Sequence, residues 1–161
     1  MKLHSGKKLL SMQGFLPASF LVFVFCLSVI VFFSRANAAT RDAKRVSDLS
    51  QTQQALEFYY KKCGYYPGAI QAQDVCALWI YTGTWSGMKT ALVSSRIGVA
   101  DIPNDPLPDK NYFYSVGRNG QDYVIGAQLE EDAGQYFTRS AHGILNGIDC
   151  NDSVYCVRVS K

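Results

Sequence analysis

From Leu9 to Ser34 the chain carries no charged residue. Within that run, Phe15 to Phe33 is almost wholly Phe, Leu, Val and Ile, relieved only by Pro17, Ala18, Ser19, Cys26 and Ser28. Nineteen such residues are the length a helix needs to cross a hydrocarbon core. No comparable run follows Thr40, so the expected organisation is a basic leader (1–14), one membrane helix (15–34) and one exported head (35–161). Lys2, Lys7 and Lys8 precede Phe15 and read as a cytoplasmic flank, which sets a single-pass orientation with the N-terminus inside.

The net charge of +3 comes from that flank. Without its three lysines the basic and acidic counts are equal. A neutral head offers no electrostatic grip on phosphate, so nucleic acid is not an expected partner.

Beyond the apolar run the pattern turns amphipathic. Ala43, Val46, Leu49, Gln53, Leu56 and Tyr59 or Tyr60 recur at three- and four-residue steps, which predicts a helix over 40–62. Lys61 and Lys62 suit its C-terminal dipole, Gly64 its cap, and Pro67 forbids continuation. Nothing between Phe33 and Lys62 requires a break, so a single helix from Leu16 to Lys62, about 70 Å long, is expected. A second helix is expected over Ser86–Ile97, with Met88, Leu92 and Ile97 inward. Strands are expected at Tyr112–Val116, Asp122–Leu129 and Val154–Val159, the first two joined through Asn119-Gly120. Glu131 to Asp149 shows no period and reads as loop. The fold class is therefore α+β: a long N-terminal helix packed on a small antiparallel sheet spanning about 112–159.

Cys63, Cys76, Cys150 and Cys156 lie in the exported part, and an even number there suits two disulfides. Three pairings are open, of which Cys63–Cys76 with Cys150–Cys156 is the simplest. Neither gap has zinc-knuckle spacing. Cys26, inside the apolar run, reads as a small hydrophobe.

A basic leader ending in Gly14, then Phe15, then an apolar helix flowing into an amphipathic one, resembles the type IV pilin superfamily. Arg41-Asp42-Ala43-Lys44-Arg45-Val46-Ser47-Asp48-Leu49, Gln54-Ala55-Leu56-Glu57-Phe58-Tyr59-Tyr60 and Cys63-Gly64-Tyr65-Tyr66-Pro67 are similar to the helix and exit of bacterial pseudopilins. Asp105-Pro106, Tyr112-Phe113-Tyr114 and Tyr123 to Glu130 are similar to the hairpin of that group. The resemblance implies a non-enzymatic subunit of a type IV pilus or type II secretion pseudopilus. A prepilin peptidase would cut between Gly14 and Phe15 and methylate the new amino terminus. The subunit would wait in the bacterial inner membrane, then enter a cell-surface or periplasmic filament with copies of itself or other pilins. Leu16, Leu21, Val24, Leu27 and Ile30 would serve bilayer insertion and helix bundling.

Ser19 stands where the family carries a glutamate at the fifth mature position, and Pro17 at the third, which implies a minor or divergent subunit. Ala36-Asn37-Ala38 also fits a signal-peptidase site, whose use would release a soluble exported binding module beginning at Ala39. Against it, the apolar run exceeds the usual 7–15 residues of a signal peptide.

His142 has no carboxylate near it in sequence and reads as a surface residue; no catalytic group is expected. Glu130, Asp132, Asp149 and Asp152 are the candidate ligands for calcium, oxygen donors grouped on loops without a fixed-spacing signature. A solvated acidic face is the plainer reading of them.

Overall fold

A computed structural model describes residues 18–69, 76, 83–131 and 134–161. The chain divides into two compact units, one up to Ser34 and one from Arg35 to Lys161. The leader, Gly14, Phe15, Leu16, Pro17, Trp79 and Asp132 fall outside the described residues.

Helix α1 runs without interruption from Ala18 to Cys63. Its first unit presents eleven large apolar side chains between Phe20 and Phe33, each 47–70% exposed. The most apolar stretch has a mean hydropathy of 2.1 with none of it buried, so by length and composition α1 suffices to cross a membrane. Lys61 and Lys62 occupy the last turn, and Gly64 at φ +79 closes the helix where a side chain would be strained.

The second unit is α+β. Helix α2 (Trp85–Ser94) is capped by Thr84, whose Oγ1 accepts from the Gly87 N–H at 3.3 Å, and it buries Met88 and Leu92 completely. It ends three residues before the sequence pattern does. Ser95 caps it, and Arg96 (φ +54) and Gly98 (φ +85) leave helical space, so Ile97 packs half-buried from the following turn.

Strands β1 (Phe113–Val116) and β2 (Asp122–Gln128) pair antiparallel, and β2 continues to β5 (Val154–Ser160), in the order β1-β2-β5. The β1–β2 connection takes five residues, Gly117–Gln121, with only Gly120 at positive φ (+68). A Cβ at Gly120 would lie 2.6 Å from that of Ala69. The close approach lets the Tyr66 N–H donate to Gly120 O at 2.9 Å.

One face of the sheet buries Tyr114, Tyr123, Ile125, Ala127 and Tyr155 against Leu49, Leu56 and Tyr59 of α1. Aromatic edges fill this core: Tyr66 meets Tyr123 at 4.5 Å and Trp85 meets Tyr112 at 4.9 Å, both edge-on. The opposite face buries Val124 and Cys156 beneath Ala141, Leu145, Ile148 and Cys150.

The segment over that opposite face was expected to be loop. It contains α3 (Gly134–Phe137) and a tight hairpin of β3 (Ile144–Leu145) with β4 (Ile148–Asp149). Asn146 (φ +48) and Gly147 (φ +83) form its two-residue turn. Asn119-Gly120 carried the same turn signal but serves the longer connection. Strands of two residues are too short to show a period, which is why Glu131–Asp149 reads as loop from sequence.

Both disulfides are present with the local pairing, Cys63–Cys76 and Cys150–Cys156. Cys150 and Cys156 are 1% and 0% exposed and sit at the centre of the second core.

Candidate functional site

The helical stripe expected from apolarity is corrected in its N-terminal half. Leu49, Leu56 and Tyr59 are buried, and Val46 and Gln53 half-buried, but Ala43 is exposed. Asp42, Arg45, Asp48 and Thr52 occupy the buried face instead, at 0–3% exposure. Charged residues interior to a head this small need partners, and they have them.

Arg45 is the hub. Its Nε and Nη2 donate to both oxygens of Asp105 at 2.8 and 2.9 Å, while Nη1 donates to Asp42 at 2.7 Å and to Glu130 at 2.6 Å. Arg41 holds Glu130 from the other side through Nε at 2.7 Å and through Nη2. Asp42 also accepts from the backbone N–H groups of Glu130 and Glu131 at 2.9–3.1 Å, and Asp105 from that of Leu107 at 2.9 Å. A neighbouring pair extends the cluster: Asp48 accepts from the Tyr112 hydroxyl at 2.8 Å and from Lys44 at 3.1 Å. Planar guanidinium suits this task, since its fork meets a carboxylate in two places at once.

The cluster joins α1 to the proline-rich segment at 102–108 and to the end of β2. Sequence separations of 60 and 85 residues between Arg45 and its partners explain why no spacing rule reveals it. The available signal was Asp42-x-x-Arg45 at helical spacing, which reads equally as a solvated surface pair.

The electrostatics follow the geometry. The Arg41 hydrogen bonds are the largest influence on Glu130; with the bond from Arg45 and the charges of both arginines they outweigh desolvation and hold the carboxyl at about 2. The Arg45 guanidinium is raised, first by Asp105. Burial raises the Tyr112 hydroxyl, and its bond to Asp48 raises it further. At the far end of α1, burial alone would raise Glu57, but bonds from Lys161 (2.7 Å) and Tyr66 (2.8 Å) outweigh it and leave the carboxyl lowered.

These shifts fix a pH dependence. Glu130 is depressed in the folded state, so its stabilisation is complete above its unfolded range near 4.5. It is lost as pH falls from there toward about 2. Denaturant unfolding of the wild type and Glu130→Gln should therefore differ by a constant amount from pH 8 to 5 and converge below pH 4. A difference that persists undiminished to pH 2 would contradict the assignment.

The other candidate residues separate. Glu130 is committed to Arg41 and Arg45. It lines a surface cavity of about 480 Å³ with Glu131, Phe137, Asp152 and Ser153. Asp149 is not part of that lining, and accepts from the backbone and side chain of Asn151 at 3.1 and 2.7 Å. Among the described residues no three His, Cys, Asp or Glu side chains converge as metal ligands. His142 is exposed. Of the expected insertion residues, Leu21, Val24, Leu27 and Ile30 are 47–64% exposed on α1.

No protein-family model, curated protein or solved structure matches the chain.

Proposed function

We propose that the chain is a structural subunit, minor or divergent, of a type IV pilus or type II secretion pseudopilus, held in the bacterial inner membrane before assembly. The observation that carries this reading is the exposed apolar half of α1. Fully burying a side chain of that size is worth about 1.5–3 kcal/mol, so eleven of them represent on the order of 20 kcal/mol that water forfeits. A bilayer satisfies that surface first, and a bundle of equivalent helices satisfies it after extraction. Ser19 removes the charge pair that would otherwise register one subunit on the next, which favours a minor position over a repeating one.

The α+β head agrees with this role, and its ties to α1 are the kind a load-carrying subunit requires. Arg45 bonds α1 to two separate head segments, and Glu57 bonds it to the C-terminal Lys161. Helix α1 also runs through Ala36-Asn37-Ala38 without interruption.

N-terminal sequencing and intact mass of the mature protein test the reading. Cleavage after Gly14, leaving a methylated Phe15, is the expected result. A mature chain beginning at Ala39 would sink it and support the soluble exported binding module.

A further inference from the structure

We infer that the Arg45 cluster is a processing lock: it keeps Ala36-Asn37-Ala38 helical and so denies signal peptidase the Ala38–Ala39 bond while the head is folded. The inference rests on the filament reading, for which release at Ala39 is the competing fate.

The site meets the small-x-small requirement in sequence but not in conformation. A protease holds the residues around its scissile bond as an extended strand, and here they lie inside α1. Ala36, Asn37 and Ala39 are exposed, yet Ala38, whose carbonyl carbon would be attacked, is only 8% exposed. Cleavage is a hydrolysis: the oxygen of water bonds to that carbon, the C–N bond to Ala39 breaks, and the Ala39 nitrogen takes up a proton. Before it, roughly two turns of helix have to unwind.

Helix geometry couples that unwinding to the cluster. The carbonyls of Ala36, Asn37 and Ala38 accept from the N–H groups of Thr40, Arg41 and Asp42, four residues on. Thr40 Oγ1 donates a second bond to Ala36 O at 2.9 Å. The head grips the other two donors of this turn. Arg41 Nε donates to Glu130 at 2.7 Å, and the Asp42 carboxylate accepts from Arg45 Nη1 at 2.7 Å and from the backbone N–H groups of Glu130 and Glu131. Swinging the Asp42 N–H away from Ala38 O therefore disturbs a carboxylate that is 1% exposed and bonded to a cation and two backbone donors.

Bonds within a single helical turn give way in brief local openings. These bonds instead tie the turn to residues 88 and 89 positions away. Opening at the site becomes as rare as loss of the cluster, and cleavage through the open form slows by the same factor.

The full-length chain, made by cell-free synthesis and folded with its disulfides in detergent micelles, tests this against purified signal peptidase. Release of a fragment beginning at Ala39 is read by mass. Relative to wild type, Glu130→Gln should be cleaved roughly threefold faster and Arg45→Ala roughly tenfold faster or more. Ala36→Glu, at an exposed position, should abolish release in every background. Leu92→Ala, buried in α2 away from the cluster, destabilises the core comparably and separates local opening from global unfolding. Its acceleration should stay below about threefold. Tyrosine and tryptophan emission checks that each variant is folded, and Glu130→Gln, which leaves Arg45 both buried carboxylates, decides the matter if Arg45→Ala is unfolded.

A Glu130→Gln rate equal to wild type, or Leu92→Ala cleaved as fast as a folded Arg45→Ala, would overturn the inference. Maturation in cells is read separately. A mature chain beginning at Phe15, with all purified variants cleaved alike, loses the lock and keeps the filament. A mature chain beginning at Ala39, with the purified wild type resistant and the cluster variants cleaved, keeps the lock and loses the filament.

Discussion

Replacing Arg45 with alanine should destabilise the head by about 3–5 kcal/mol, a large fraction of the roughly 5–15 kcal/mol that holds an ordinary domain folded. The loss is not that of one surface ion pair, whose median worth is under about 1 kcal/mol. Arg45 is fully buried and its guanidinium reaches three carboxylates, two of them, Asp42 and Asp105, with side chains only 1% exposed. Removing the cation strands those charges where water cannot replace it. Arg45→Lys should recover only part of the loss, because one ammonium cannot span both oxygens of Asp105 while reaching Glu130. Denaturant unfolding of the full chain in detergent, followed by tyrosine and tryptophan emission, would check this. An Arg45→Ala chain within 1 kcal/mol of wild type would show that the cluster is solvated in solution.

The second large effect concerns which staple matters more, and two arguments point in opposite directions. Loop closure favours Cys63–Cys76: with sequence separations of 13 and 6, the entropic contributions are about 3 and about 2.4 kcal/mol. Burial favours Cys150–Cys156, whose residues are at most 1% exposed, whereas Cys63 and Cys76 are half-buried. Losing the packing of two enclosed sulfurs adds about 1 kcal/mol each, which exceeds the difference in loop entropy. The Cys150→Ala, Cys156→Ala pair should therefore cost about 4 kcal/mol, and Cys63→Ala, Cys76→Ala about 3 kcal/mol. Hydrogen exchange should show the loss first at the amides of Ala141 and Cys150, which bond to Cys156 O and Gly143 O across the stapled layer. The opposite order of stabilities would mean that chain entropy, not enclosure, sets the value of these bonds.

Sequence reasoning succeeded where a short-range signal exists. The three strands of the main sheet fall within a residue of their expected bounds, because each is a short run rich in aromatic and β-branched residues flanked by turn residues. It failed at β3 and β4, where Leu145-Asn146-Gly147-Ile148 held the turn signal but too few residues to display alternation. It failed again on α1, where weighting positions by apolarity selected the exposed Ala43 and passed over Arg45. A charged side chain becomes a core residue only when distant partners arrive, and no local pattern records their arrival.

The amino-acid sequence by itself determined the two ends of the problem. A charge-free run beginning at Leu9 is compatible with few environments other than a bilayer or a bundle of like helices. The Gly64 cap, Pro67 and the four head cysteines limit what can follow it. These are local or compositional properties, and burial of apolar surface enforces them whatever the topology. Tertiary structure decided the rest: that Arg45 lies inside a three-carboxylate cage and that the second disulfide is enclosed under a hairpin. Each depends on segments tens of residues distant meeting at atomic separation. Electrostatic and packing energies vary too steeply with distance for sequence spacing to reveal such meetings.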